Sequence, residues 1–198
     1  MQDSKFGVIL IDCPWTYNNY TKVANGAPQY PTMTFEELLE LPISKWAATN
    51  CLLVSWCTWP MMPQGVKLLE RWGFEYITGW PWIKTVPSTE SIRCGTGFWA
   101  QSVSEYLILG KKGKVSPPKK TKHRGLLFGE NRQFYGPINK HSDKPEDIPA
   151  WLENNFKGPY LEIFARRERP NWTTWGYDVG YILSKEGVSK VDAQSIKQ

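Results

Sequence analysis

Phe6-Gly7-Val8-Ile9-Leu10-Ile11 is a continuous apolar run closed by Asp12-Cys13-Pro14-Trp15. A strand with one wet face alternates apolar and polar side chains, whereas a short unbroken apolar run fits a strand covered on both faces, as in parallel sheets. The run therefore asks for layers above and below a sheet. It also places Asp12 where the strand emerges from the core.

The rest of the chain supplies the layers. Thr34-Phe35-Glu36-Glu37 has the capping-box pattern ahead of a short helix that ends near Pro42. Cys51 to Trp56 reads as a second buried strand, and Pro63 to Trp72 as a helix closed by Gly73. Tyr76 to Lys84 and Ser104 to Leu109 are rich in strand formers. A helix is expected from around Asp143 to Asp147, with Pro145 in its first turn, running to Gly158. Tyr160 to Ala165 and Trp172 to Val179 complete the strands, and the polar residues after Ser184 form a frayed tail. Strands alternating with helices predict an α/β fold, a mostly parallel sheet with helices on both faces. At 198 residues the expectation is one domain, residues 1–184, followed by the tail 185–198.

Charge is uneven. Lys111, Lys112, Lys114, Lys119, Lys120, Lys122 and Arg124 fall within a stretch free of acids, in a chain of formal net charge +5. A solvated loop explains such a run, and so does a polyanionic partner. Eleven tryptophans exceed what core packing obviously needs, so some are expected to face a planar ligand; Trp59 and Trp99, in apparent loops, are the surface candidates. The four cysteines form no CxxC pair and no metal-ligand spacing with the two histidines, so reduced thiols and no metal are expected. No basic segment precedes a long apolar run, which points to a cytoplasmic protein without membrane attachment.

Open α/β sheets bind ligands beyond the carboxyl ends of their strands, above all where strand order reverses. Two strands here end suggestively, one in Asp12-Cys13-Pro14-Trp15 and one in Phe164-Ala165-Arg166. An amino group conjugated to a nucleobase is a poor nucleophile because its lone pair is delocalised. A carboxylate and a backbone carbonyl side by side can accept both of its hydrogens and stabilise the positive charge that grows on nitrogen. Proline stiffens the turn that aims those acceptors, and an aromatic side chain can stack on the base.

Asp12-Cys13-Pro14-Trp15 resembles the Asp-Pro-Pro-aromatic signature of S-adenosylmethionine-dependent amino methyltransferases. "HSDKPED" (141–147) and "YLEIFARRERPNWTTWGYDV" (160–179) resemble, in order, further elements of the MT-A group of N6-adenine methyltransferases. That group includes messenger-RNA adenosine methylating enzymes and bacterial and phage relatives acting on DNA. The resemblance covers about residues 6 to 180 and implies a Rossmann-like class I methyltransferase fold in permuted order, with the catalytic motif early and the cofactor strand late.

It also implies roles. Asp12 and the Cys13-Pro14 backbone match the catalytic turn, and Trp15 the base-stacking aromatic. Ile11, Asp12, Phe164 and Arg166 border the cofactor; Lys144, assisted by Ser142, matches the lysine pairing with its methionine carboxylate; Glu162 is either a cofactor contact or a structural ion pair. Asn171, Tyr177 and Asp178 fall where the family surrounds ribose and adenine, Asp178 being suited to the ribose hydroxyls. The basic residues from Lys111 to Arg124 would hold a nucleic-acid backbone. Cys13 replaces the first proline of the signature, which leaves the carbonyl acceptor intact because that is backbone. Methylation of adenine N6 in DNA, by a bacterial or phage enzyme able to pair as a homodimer, is the favoured expectation. Methylation of RNA, methylation of another amino group such as that of cytosine, and a silent nucleic-acid-binding subunit are its rivals.

Overall fold

The computed structural model describes residues 5–16, 30–86, 91–95, 99–118, 135–137 (backbone only) and 144–191. Seven strands form one sheet in the order β5-β3-β4-β2-β1-β6-β7. They are β1 (Phe6–Asp12), β2 (Ala47–Cys57), β3 (Glu75–Thr85), β4 (Ser104–Lys112), β5 (Tyr135–Pro137), β6 (Tyr160–Ile163) and β7 (Trp172–Trp175). β1 pairs in parallel with β2 on one side and β6 on the other, and β4 alone runs against its neighbours β2 and β3. This is the mixed, mostly parallel Rossmann-like sheet expected of the sequence.

The opening run behaves as its pattern requires. Ile9 and Ile11 pack on one side of the sheet, with α1 (Phe35–Leu39), α2 (Ile43–Trp46) and α3 (Met62–Arg71). Val8 and Leu10 pack on the other, against α4 (Asp147–Asn155) through Ile148, Trp151 and Leu152. All four strand residues are at most 3% exposed. Each buried aliphatic side chain of this kind contributes roughly 1.5–3 kcal/mol, so β1 is anchored from both faces. α1 carries the capping box in full: Glu37 N–H donates to Thr34 Oγ1 at 3.2 Å, and Thr34 N–H to Glu37 Oε2 at 2.7 Å.

Three boundaries differ from expectation. α4 begins at Asp147, so the proline of its first turn is Pro149, where the missing N–H would have had no helical partner anyway. The strand expected over Trp172 to Val179 ends at Trp175, and Tyr177–Val179 form a 3-10 turn closed by Gly180 at φ 82°. The expected tail is also ordered in part: β8 (Tyr181–Ser184) and β9 (Gly187–Lys190) make a hairpin whose Leu183 is buried. Among the described residues, no helix is long and apolar enough to cross a membrane.

Candidate active site

Because β1 lies between β2 and β6, the chain leaves β1 towards one edge of the sheet and returns on the other side of it. The crevice at the carboxyl ends of β1 and β6 is therefore the switch point where such sheets bind ligands. A cavity of about 670 Å³ opens there, within the range of small-molecule sites. Asp12, Cys13, Pro14, Phe164, Ala165 and Arg166, the ends of the two strands, all line it.

Asp12 follows the last fully buried residue of β1, and its side chain is 29% exposed. Its Oδ2 receives Lys144 Nζ at 2.9 Å. The same ammonium meets Glu105 Oε2 at 3.2 Å, and Lys84 Nζ reaches Glu105 Oε1 at 2.6 Å. Two acids and two lysines thus alternate along one chain of contacts. Burial alone would raise the Glu105 carboxyl, but Lys144 and Lys84 outweigh it and hold it below the usual carboxylate range. Burial opposes the charge on Lys144, yet Asp12 and Glu105 raise it above the ordinary lysine value. The Lys144 ammonium also lies 5.5 Å from the centroid of the Trp56 ring. With three donors, it retains one beyond its two carboxylates.

The turn after Asp12 is fixed by its own backbone. Trp15 N–H donates to the Cys13 carbonyl at 2.9 Å, and Met33 N–H to the Pro14 carbonyl at 2.8 Å. A carbonyl has two lone pairs, so the Cys13 oxygen can accept once more. The Cys13 thiol is buried and its pKa is raised well above normal, chiefly by burial and then by Asp12. That thiol is packing rather than chemistry. Trp15 lines the cavity but is only 5% exposed and packs in the core, so most of its surface is covered by protein.

The opposite wall belongs to β6, the 3-10 turn and the hairpin. Phe164 adopts φ 62°, a left-handed conformation costing a bulky residue of order 1–3 kcal/mol, and it occurs where β6 meets the cavity. Gly176 lets the chain pass close behind: a Cβ there would sit 2.3 Å from the Ala165 carbonyl oxygen. Tyr177 and Asp178 follow on the cavity side, and Arg166 lies with its guanidinium 5.3 Å from the centroid of the Tyr30 ring. A carboxylate, a guanidinium, the Lys144 ammonium and aromatic rings around one cavity can hold a ligand that carries a diol, a charged amino-acid group and a flat ring. The donor set fits S-adenosylmethionine.

Several expected site residues lie elsewhere. Ile11 is fully buried core and offers only its backbone neighbour, Asp12. Glu162 lines a small adjoining space that shares Asp12, Lys144, Phe164 and Arg166 with the cavity, and it accepts from Arg169 Nε at 3.2 Å, with Arg169 in turn on Glu146 at 2.6 Å, so it takes part in an ion pair. Burial raises the Glu162 carboxyl in spite of Arg169. Asn171 holds φ 65° at a turn and does not line the cavity. Lys111 and Lys112 end β4 rather than starting a loop: Lys111 pairs with Glu75 at 3.3 Å, and Lys112 donates to the Ser44 carbonyl at 3.2 Å. Lys112 stands opposite Cys51 while Asp12 stands opposite Trp56, so Lys111, Lys112 and neighbouring Lys114 occupy the far end of the sheet. Ser142, Lys119, Lys120, Lys122 and Arg124 lie outside the described residues.

Glu105 is the functional-site residue that the sequence reading missed, although a lone acid inside the apolar strand SEYLIL was a signal. The hairpin wall, Tyr181 to Glu186, gave no such signal.

Comparison with known proteins closes the identification. The model of the family described as MT-A70 matches residues 6–178. The chain belongs to the MT-A70 family. It is 28% identical over 195 residues to the Type II methyltransferase M.MunI of Mycoplasma sp, covering 88% of this chain and 78% of that one. It is 33% identical over 186 residues to the human N(6)-adenine-specific methyltransferase METTL4, covering 88% of this chain and 37% of that protein. With the human N(6)-adenosine-methyltransferase catalytic subunit METTL3 it shares 28% over 178 residues, covering 87% of this chain and 28% of that one. Membership in this methyltransferase family supports an enzyme.

Proposed function

We propose that this MT-A70 chain transfers a methyl group from S-adenosylmethionine to the exocyclic N6 amine of adenine in DNA. The observation that carries the reading is that Asp12 and Cys13, adjacent at the end of β1, line one cavity with Lys144, Arg166 and Asp178, and that Lys144 holds the Asp12 carboxylate. When bound, the cofactor supplies an electrophilic methyl on a sulfonium, so the protein's own task is alignment and charge stabilisation.

Asp12 accepts one hydrogen of the adenine amine and the Cys13 carbonyl accepts the other. Both acceptors face the nitrogen as it becomes tetrahedral and positive, which lowers the barrier without a strong base. Lys144 binds Asp12 Oδ2 and so sets the direction of the carboxylate, while Glu105 and Lys84 balance the charge behind it. The surplus amine proton passes to Asp12 and from its exposed side to solvent. Asp178 suits the ribose hydroxyls, Tyr177 and Phe164 the flat ring, and the remaining Lys144 donor the cofactor's carboxylate. A base inside a duplex must be extruded to reach Asp12.

DNA is favoured over RNA because the match to M.MunI spans most of that protein, whereas METTL3 is matched over a minor part of its length. The test is incubation with labelled cofactor and single- and double-stranded DNA and RNA, followed by mass analysis of the nucleosides. N6-methyldeoxyadenosine is expected. Labelling of RNA alone overturns the DNA assignment, methylcytosine the base, and absence of cofactor binding by calorimetry the enzyme itself. Asp12→Ala should abolish methylation while keeping the fold and most of the cofactor affinity; equal turnover refutes the acceptor mechanism.

A further inference from the structure

We propose that Trp59 is the stacking platform for the base adjoining the target nucleotide, so that the nucleic-acid strand crosses the mouth over the ends of β2, β3 and β4. This rests on the nucleic-acid reading above and adds where the strand lies. Trp59 follows Thr58, which lines the cavity, at the carboxyl end of β2, the end of the sheet that also carries Asp12. It is 54% exposed although large and apolar. Its ring stands edge-on to Tyr106, with centroids 4.3 Å apart and planes at 70°. Tyr106 is itself fixed in β4, opposite Cys57. One side of the indole is braced while much of it stays open, and Pro60 stiffens the 3-10 turn beneath it.

The charges around the mouth choose the side. Glu36 and Glu37 of α1, Glu40 just after it and Glu186 of the hairpin line the cavity, and phosphates would be repelled from them. The lysines at 111, 112 and 114 are at the other end of the sheet and cannot serve this mouth. On the Trp59 side, Ile92, Arg93 and Trp99 are exposed on the segment that links β3 to β4, next to the Thr85–Ile92 bridge and the start of β4. Exposed aromatic, apolar and cationic side chains at the β3–β4 end of this rim match a strand with a stacked base and an anionic backbone. Stacking tolerates any base, because every base has a π-face.

The test uses single-stranded oligodeoxynucleotides with one target adenine and an abasic residue scanned through the flanking positions. For the wild-type protein, removal of one particular neighbouring base should weaken binding about ten- to a hundred-fold, the scale of one base–aromatic stack. Trp59→Ala should show the same loss on the intact oligonucleotide and no further loss on the abasic one. Trp59→Phe should recover most of the affinity. Cofactor affinity by calorimetry should not move in either variant. An abasic scan without a sensitive neighbour, or losses that multiply in Trp59→Ala, overturns the proposal even if the variant folds poorly, since the first measurement needs no variant. If the wild-type protein binds cofactor but methylates no oligonucleotide, the functional reading fails; if it methylates and the scan is flat, only the Trp59 assignment fails.

Discussion

Replacing Glu105 by Gln tests the charge chain behind Asp12. The carboxylate is 11% exposed and touches Lys84 at 2.6 Å and Lys144 at 3.2 Å, so the change leaves two largely buried cations with one acid. Breaking a buried ionic group by removing one partner costs about 3–5 kcal/mol. Lys144 keeps Asp12, and the amide oxygen can still accept a hydrogen bond, which puts the cost at the lower end, about 3 kcal/mol. For a chain of this size the melting temperature should fall by about 6–12 °C at neutral pH. The Glu105 carboxyl is lowered in the folded state, so its contribution is present above its unfolded value of 4.5 and is lost as pH falls through the folded value. The stability difference between wild type and Glu105→Gln should thus be full at pH 7 and shrink on going below pH 4.5. Urea unfolding followed by fluorescence across pH 3–8 measures it. An unchanged midpoint at pH 7, or a difference that grows towards acid, refutes the ion-chain argument.

Gly176→Ala drives a methyl into the Ala165 backbone and should destabilise by about 2–4 kcal/mol while weakening cofactor binding, because Tyr177 and Asp178 move with it; calorimetry and thermal melting check both. Cys51 and Cys57 are pushed up to about 12 mainly by burial, and Cys13 is buried too, whereas Cys94 is exposed; native protein at pH 8 should react with a thiol reagent fastest at Cys94, read by peptide mass mapping. Lys144 is raised in the folded state, so its stabilisation should be full below its unfolded value of 10.5, start to fall above it and be lost as pH rises through the still higher folded value, shown by a Lys144→Met difference that shrinks only in strong alkali. Neutralising Lys111, Lys112 and Lys114 together should leave the salt dependence of nucleic-acid binding unchanged; a slope reduced by about 0.7–0.9 per lysine would return them to the interface.

The sheet was legible in the sequence because its strands are unbroken apolar runs, and Val8 to Ile11 could be buried in only one way. The turn at Asp12 was legible because proline and an acid at a strand end are local signals. Glu105 was not, since its meaning depends on β4 running antiparallel between β2 and β3, a relation between distant segments. The position of the first lysines of the basic run was hidden for the same reason: Lys111 and Lys112 continue β4, and the direction of that strand carries them to the end of the sheet away from Asp12. Asn171 was assigned by motif order, which does not say where a residue lies: it holds a left-handed turn just before β7 and is not among the residues that line the cavity.

The reversed direction of β4 has one more consequence. β3 leaves the sheet and β4 re-enters it at the same rim as Asp12, with Lys84 N–H on the Val103 carbonyl and Arg93 N–H on the Lys84 carbonyl clamping the base of the connection. A loop rooted twice at one rim can gain or lose residues without threading through the interior, at a closure cost that grows only slowly with length. Changes of length between the two roots are therefore expected to leave the register of β3 on β4, and the Asp12 turn at the end of β1, as they are.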